Sequence, residues 1–92
     1  MKTSPEQLVA ARAEALFTSD IPTGARPSEG QATAAIQRSV RTLRGVHGCA
    51  VEVAGAYGDC PETAVARMRW ARDLAVRLST HAGRAVAPCC TR

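Results

Sequence analysis

Large aromatic side chains are scarce in this chain. Its 92 residues hold one Phe, one Tyr and one Trp (Phe17, Tyr57 and Trp70), which excludes a core built on aromatic packing. Lysine is nearly absent, since every basic residue but Lys2 is arginine. Long apolar runs are missing too: the longest falls well short of the roughly 18–20 residues of a membrane helix, so no membrane span is expected. The first residues, Met1-Lys2-Thr3-Ser4-Pro5-Glu6, carry no apolar h-region, so no signal peptide is expected and the location reads as cytoplasmic. In that compartment the four cysteines are expected to be reduced thiols rather than a disulfide framework. Neither sign of charge dominates. A net charge of +4 attracts anions mildly and falls short of the footprint of an obvious nucleic-acid binder. No Ser-His-Asp set, phosphate-cradling glycine loop or pair of catalytic carboxylates can be assembled, so the chain reads as non-enzymatic, with no cofactor.

What is abundant is alanine, which makes up much of the 46% apolar content. Alanine favours helix because it loses no side-chain entropy, yet it buries little area. A single domain of this length buries roughly 60–65% of its unfolded surface. The expectation is an all-α bundle with a thin core, of the kind stabilised by self-association or by docking on a partner.

Four helices can be read from caps and periodicity. Ser4-Pro5-Glu6-Gln7 is a helix start, with a serine cap, proline at the first helical position and glutamine placed to close a capping box. Leu8, Val9, Ala13, Leu16 and Phe17 then recur at helical spacing, leaving Arg12 and Glu14 outward. Residues 18–28 read as a linker rich in Ser, Pro and Gly, in which Ile21 could fold back as an anchor. Ser28-Glu29-Gly30-Gln31 repeats the capping logic and opens a second helix to about Leu43, with Ala32, Ile36, Val40 and Leu43 inward and Arg38, Arg41 and Arg44 as a stripe on another face. Gly45 and Gly48 are expected to end it, because glycine takes the left-handed cap cheaply. A third helix covers about 49–57, with Ala50, Val53, Ala54 and Tyr57 on one side and Gly58 as its stop. Either Asp59 or Cys60 caps the fourth, which runs over 61–79. Its core stripe is Ala64, Met68, Ala71, Ala75 and Leu78, widened by Val65 and Leu74, with Arg67, Trp70 and Arg77 elsewhere. The domain is expected to span 1–80, with residues 81–92 a flexible tail.

Candidate chemistry is limited. His47, Cys49 and Cys60 with Cys89 or Cys90 lack the paired spacing of zinc sites, so no metal site is expected. Cys60 at a helix start is where the helix dipole lowers a thiol pKa, but no histidine is adjacent in sequence. The residues favoured for binding a protein partner, or for a homodimer, are Arg67, Arg69, Trp70 and Arg77, because a tryptophan among arginines is a common interface anchor. Trp70 as core reads about as well, since tryptophan is usually mostly buried.

The alternative partner is DNA. Residues 52–58 with Thr63, Arg67 and Ala71-Arg72 resemble the promoter-reading helix-turn-helix of sigma factors, in which an alanine four residues before a turn glycine lets two helices pack closely, as Ala54 and Gly58 would. Asp59, Ala64 and Arg67 depart from that pattern, and Val65 and Met68 fall one place late. On this reading the helix pair 49–57 and 61–79 binds DNA through Arg38, Arg41, Arg44, Thr63 and Arg67. The run Gly48-Cys49-Ala50, Val53-Ala54, Tyr57-Gly58-Asp59, Pro61-Glu62 and Arg67-Met68-Arg69-Trp70-Ala71 is also similar to a group of small uncharacterised actinobacterial proteins, over about residues 16–78. Cys60 stands where that group typically has histidine. The resemblance implies a shared helical fold and no assigned activity.

Overall fold

A computed structural model describes the backbone of residues 5–84 and the side chains of residues 5–79. Four helices follow one another: α1 (Pro5–Phe17), α2 (Glu29–Thr42), α3 (Val46–Asp59) and α4 (Pro61–Arg84), with no strand among the described residues. The fold is therefore the small all-α bundle that the composition predicts.

Helix α1, not α4, is the hub: α1 and α3 each pack against all three other helices, and α1 does so more extensively, above all against α4. Ala13 and Ala15 are 1% exposed and Leu16 is fully buried. Alanines on either side of Leu16 let neighbours approach α1 from several directions, which a larger residue would prevent. This arrangement corrects two expectations. Arg12 is half-buried rather than outward, and its Nη1 donates to Ser79 Oγ of α4 at 3.2 Å. Leu8, expected in the core, is 41% exposed, because the first turns of α1 extend past the packed region. The Ser4 cap lies outside the described residues.

Helix α2 begins with the expected capping box, Ser28 Oγ accepting from Gln31 N at 3.1 Å and Gln31 Oε1 accepting from Ser28 N at 2.9 Å. Its buried face is Ala32, Ala35 and Ser39, with Ile36, Val40 and Leu43 only half-buried. The helix is thus rotated from the expected stripe, because three small residues bring its backbone closer than the bulky ones could.

The turn into α3 corrects another expectation. The residue in left-handed conformation after α2 is Arg44 (φ 63°), not a glycine. Arg44 N–H donates to Arg41 O at 3.4 Å and Gly45 N–H to Val40 O at 2.7 Å, the two bonds of a Schellman motif. Gly45 (φ 112°, ψ 178°) is then the N-cap of α3, in backbone space open only to glycine. Gly48 lies in the first turn of α3, where any Cβ would overlap the Leu43 carbonyl. It therefore permits a close approach rather than ending a helix.

Helix α3 buries Cys49 and Val53, while Ala54, expected inward, is exposed. Tyr57 stacks on Phe17 with ring centroids 6.3 Å apart. Gly58 remains helical, and a Cβ there would meet nothing. Cys60 alone joins α3 to α4: its N–H donates to Ala56 O at 2.9 Å and its carbonyl accepts from Ala64 N at 3.0 Å. Of the two expected caps, Cys60 is the one used, with Pro61 as the first residue of α4. That helix buries Ala64, Ala71, Leu74, Ala75 and Leu78, leaves Val65 39% exposed, and runs to Arg84 rather than stopping at Ser79. The part of the expected tail from residue 85 onward, with Cys89 and Cys90, lies outside the described residues.

Candidate functional site

Helix α1 ends without a glycine and with no basic residue in its own last turn. Its last four carbonyls need donors from elsewhere. Thr18 supplies two, its N–H to Glu14 O at 3.1 Å and its hydroxyl to Ala15 O at 3.0 Å. Ser19 donates to Leu16 O through its N–H at 3.1 Å and its hydroxyl at 2.6 Å. The last carbonyl, that of Phe17, receives Nε of Arg67 from the middle of α4 at 2.7 Å.

The same guanidinium fastens the connection that follows. Arg67 Nη2 donates to Ser19 O and Ile21 O at 2.9 Å each, with Leu16 O at 3.4 Å, and Nη1 donates to Thr23 Oγ1 at 2.9 Å. Among the described residues no carboxylate pairs with this cation. The negative end of the α1 dipole and the loop carbonyls compensate it instead. Burial lowers the Arg67 pKa from its ordinary value, but a guanidinium stays charged at any physiological pH. Its Cζ lies 4.8 Å from the Trp70 ring centroid and 5.7 Å from that of Phe17, so it is held between two aromatic faces. Trp70 packs on the core and donates Nε1–H to Ala25 O at 2.9 Å, securing the far end of the loop. Between these anchors, Ala25 N–H donates to Pro22 O at 3.1 Å, and Gly24 (φ 91°) takes the position of that turn that favours glycine.

The residues singled out from sequence therefore divide. Arg67 and Trp70 come together, but as an internal clamp, and Trp70 is half-buried rather than an open anchor. Arg77 is exposed beside Trp70 at a small hollow of about 120 Å³. Arg69 is exposed on another side of α4. Arg41 and Arg44 are exposed, and Arg38 pairs at 3.4 Å with Asp20 of the loop. Thr63 is exposed, with its hydroxyl 3.2 Å from Cys60 Sγ. Hydrogen bonds from the Thr63 side chain and backbone hold the Cys60 thiol below its ordinary pKa. Cys49 is fully buried, and no group of three metal-ligating side chains converges among the described residues.

The fastened loop forms one wall of two adjoining clefts that sequence reasoning did not find. One, of about 470 Å³, lies between the loop, α2 and α3, with Ala35 and Ala56 among its apolar lining and Glu52 at its rim. The other, of about 480 Å³, lies between the loop and α2 and is lined by Ile21, Ala25, Pro27 and Ala34 with Arg26. Asp20, Ala35 and Arg38 border both, so the Asp20–Arg38 pair stands between them. The one sequence signal was the expected inward fold of Ile21. The partners across the clefts are set by the Arg67 clamp, which no local pattern encodes.

No family model, no curated protein and no solved structure matches this chain. No described helix is long and apolar enough to cross a membrane.

Proposed function

We propose that this protein is a non-enzymatic, cytoplasmic helical adaptor that binds a protein partner along the loop–α2 clefts. The observation that carries this reading is the clamp. A connection of this length would ordinarily move, and here α4 fixes it by one arginine and one tryptophan as the wall of two open clefts with mixed apolar and charged lining. Preorganised walls lower the ordering cost of association, which is how a small surface gains affinity. The volumes fall within the range of ligand clefts, and Ala35 and Ala56 in one and Ala25 and Ala34 in the other leave room for side chains of a partner.

Arg67 and Trp70 serve this function from inside, by holding the wall, while Arg77 and Arg69 are exposed but line neither cleft. The DNA reading has less support. Arg67 has its donors engaged within the chain, Ala54 and Gly58 do not make the close helix contact, and one residue joins α3 to α4 where a helix-turn-helix uses three or four.

The test is comparative affinity capture from native cell extract. Ala34 and Thr42 are exposed and border the two clefts, so Ala34→Arg and Thr42→Arg block them without entering the core. A partner retained by the wild-type chain and by Arg69→Ala, but lost with the blocked clefts at unchanged helical circular dichroism, is the expected result. Retention by both blocked variants would overturn the assignment to this surface.

A further inference from the structure

The two clefts differ in charge, and the difference specifies a ligand. Arg26 and Arg38 rim the loop–α2 cleft against a single acid, Asp20, whereas the neighbouring cleft carries Asp20 and Glu52 against Arg38. The same cleft has an apolar lining that includes Ile21, Pro27 and Ala34. Arg26 is exposed, and among the described residues no partner for its guanidinium is seen. Among the described residues Arg38 pairs with Asp20 alone, at 3.4 Å, with side chains 60% and 80% exposed. A pair so long and so exposed adds little stability and opens readily.

We infer that, resting on the adaptor reading above, the loop–α2 cleft takes a partner-protein segment in which an apolar side chain is followed by an acidic one, and that Asp20 is the built-in competitor for its carboxylate. The apolar side chain lies on the Ile21–Ala34 floor. The carboxylate bridges Arg26 and Arg38, displacing Asp20, and a guanidinium offers it the paired donors that suit a carboxylate. Displacement removes the barrier between the two clefts, so a longer segment continues toward Glu52.

The probe is the capped dipeptide acetyl-Leu-Asp-amide, titrated against the ¹⁵N-labelled full chain and followed by amide shifts. Its control, acetyl-Leu-Asn-amide, differs only by the carboxylate charge. Saturable shifts at residues 20–26 and 34–38 are expected, about five-fold tighter for the acidic probe, with the preference disappearing at high salt. Asp20→Asn should tighten the acidic probe several-fold, and Arg38→Gln should abolish the preference with the apolar contact retained. Equal affinities for the two probes would overturn carboxylate recognition, and weaker acidic binding in Asp20→Asn would show that Asp20 positions Arg38 instead of competing for it. Absence of cleft shifts with either probe would overturn the site itself. The adaptor reading stands or falls separately, on whether Ala34→Arg and Thr42→Arg lose a captured partner.

Discussion

Between α1 and α2 the chain runs eleven residues (18–28), between α2 and α3 three (43–45), and between α3 and α4 only Cys60. The short connections are held by backbone conformation: Arg44 and Gly45 at positive φ, Gly48 against the Leu43 carbonyl, Cys60 bonded to turns on both sides. The long one is held by side chains from about 50 residues away, through Arg67 and Trp70. A short connection has few torsions to fix, and local residue types can fix them. A long one must offset the entropy of many torsions, and in an alanine-rich domain only a large polar or aromatic side chain reaches far enough. That difference locates the candidate surface, since the long connection walls both clefts while the α2–α3 connection contributes Leu43 to one of them.

The most severe way to break this contrast is Arg67→Ala. It leaves the carbonyls of Phe17, Ser19 and Ile21 without their donor and takes the cation from the Trp70 face, so a loss of about 3 kcal/mol is expected. Urea unfolding monitored by Trp70 emission measures it, and the folded-state emission should shift red as the loop leaves the indole. Arg67→Lys should recover under half, because an ammonium lacks the fork that reaches both the α1 end and the loop. A loss below about 1 kcal/mol would mean that the loop is held by its own turns.

The short connections give a smaller effect with a change of sign inside one helix. Alanine in place of an interior helical glycine ordinarily stabilises by about 0.5–1 kcal/mol. Gly55→Ala and Gly58→Ala should follow that rule, since a Cβ at either meets nothing. Gly48→Ala should instead cost about 2 kcal/mol, because the α2 C-cap carbonyl must move to admit the methyl group. Thermal unfolding of the three variants separates them, and uniform stabilisation would refute the close approach.

Legibility from sequence follows the same division. The Ser28 capping box and proline at the start of α4 were readable, because each depends on residues within three positions. The inward face of α2 differs from the expected one where alanine and serine, not the bulkier residues, mark the contact, as at Ala35 and Ser39 against Ile36 and Val40. Hydrophobic periodicity weights large side chains, whereas close packing here selects small ones. Arg67 and Trp70 stand out in the sequence as candidate contacts for a protein partner, but the partners they have in the structure are mostly backbone carbonyls of a distant loop. Carbonyls carry no residue identity, so no pattern in the chain points at them.

The smallest expected effect falls on the residue that most clearly defies a local rule. Arg44 occupies the left-handed position that glycine ordinarily takes after a helix, at an exposed site. For a residue bearing a Cβ that conformation costs roughly 1 kcal/mol, whereas glycine loses more chain entropy on folding. The Schellman hydrogen bonds run through backbone N–H groups, so Arg44→Gly preserves both. Stabilisation of about 0.5–1 kcal/mol in urea is therefore expected. Destabilisation would mean that the Arg44 side chain contributes more than its backbone strain costs, so that this short connection too is held by a side chain. The contrast between the connections would then be one of length alone.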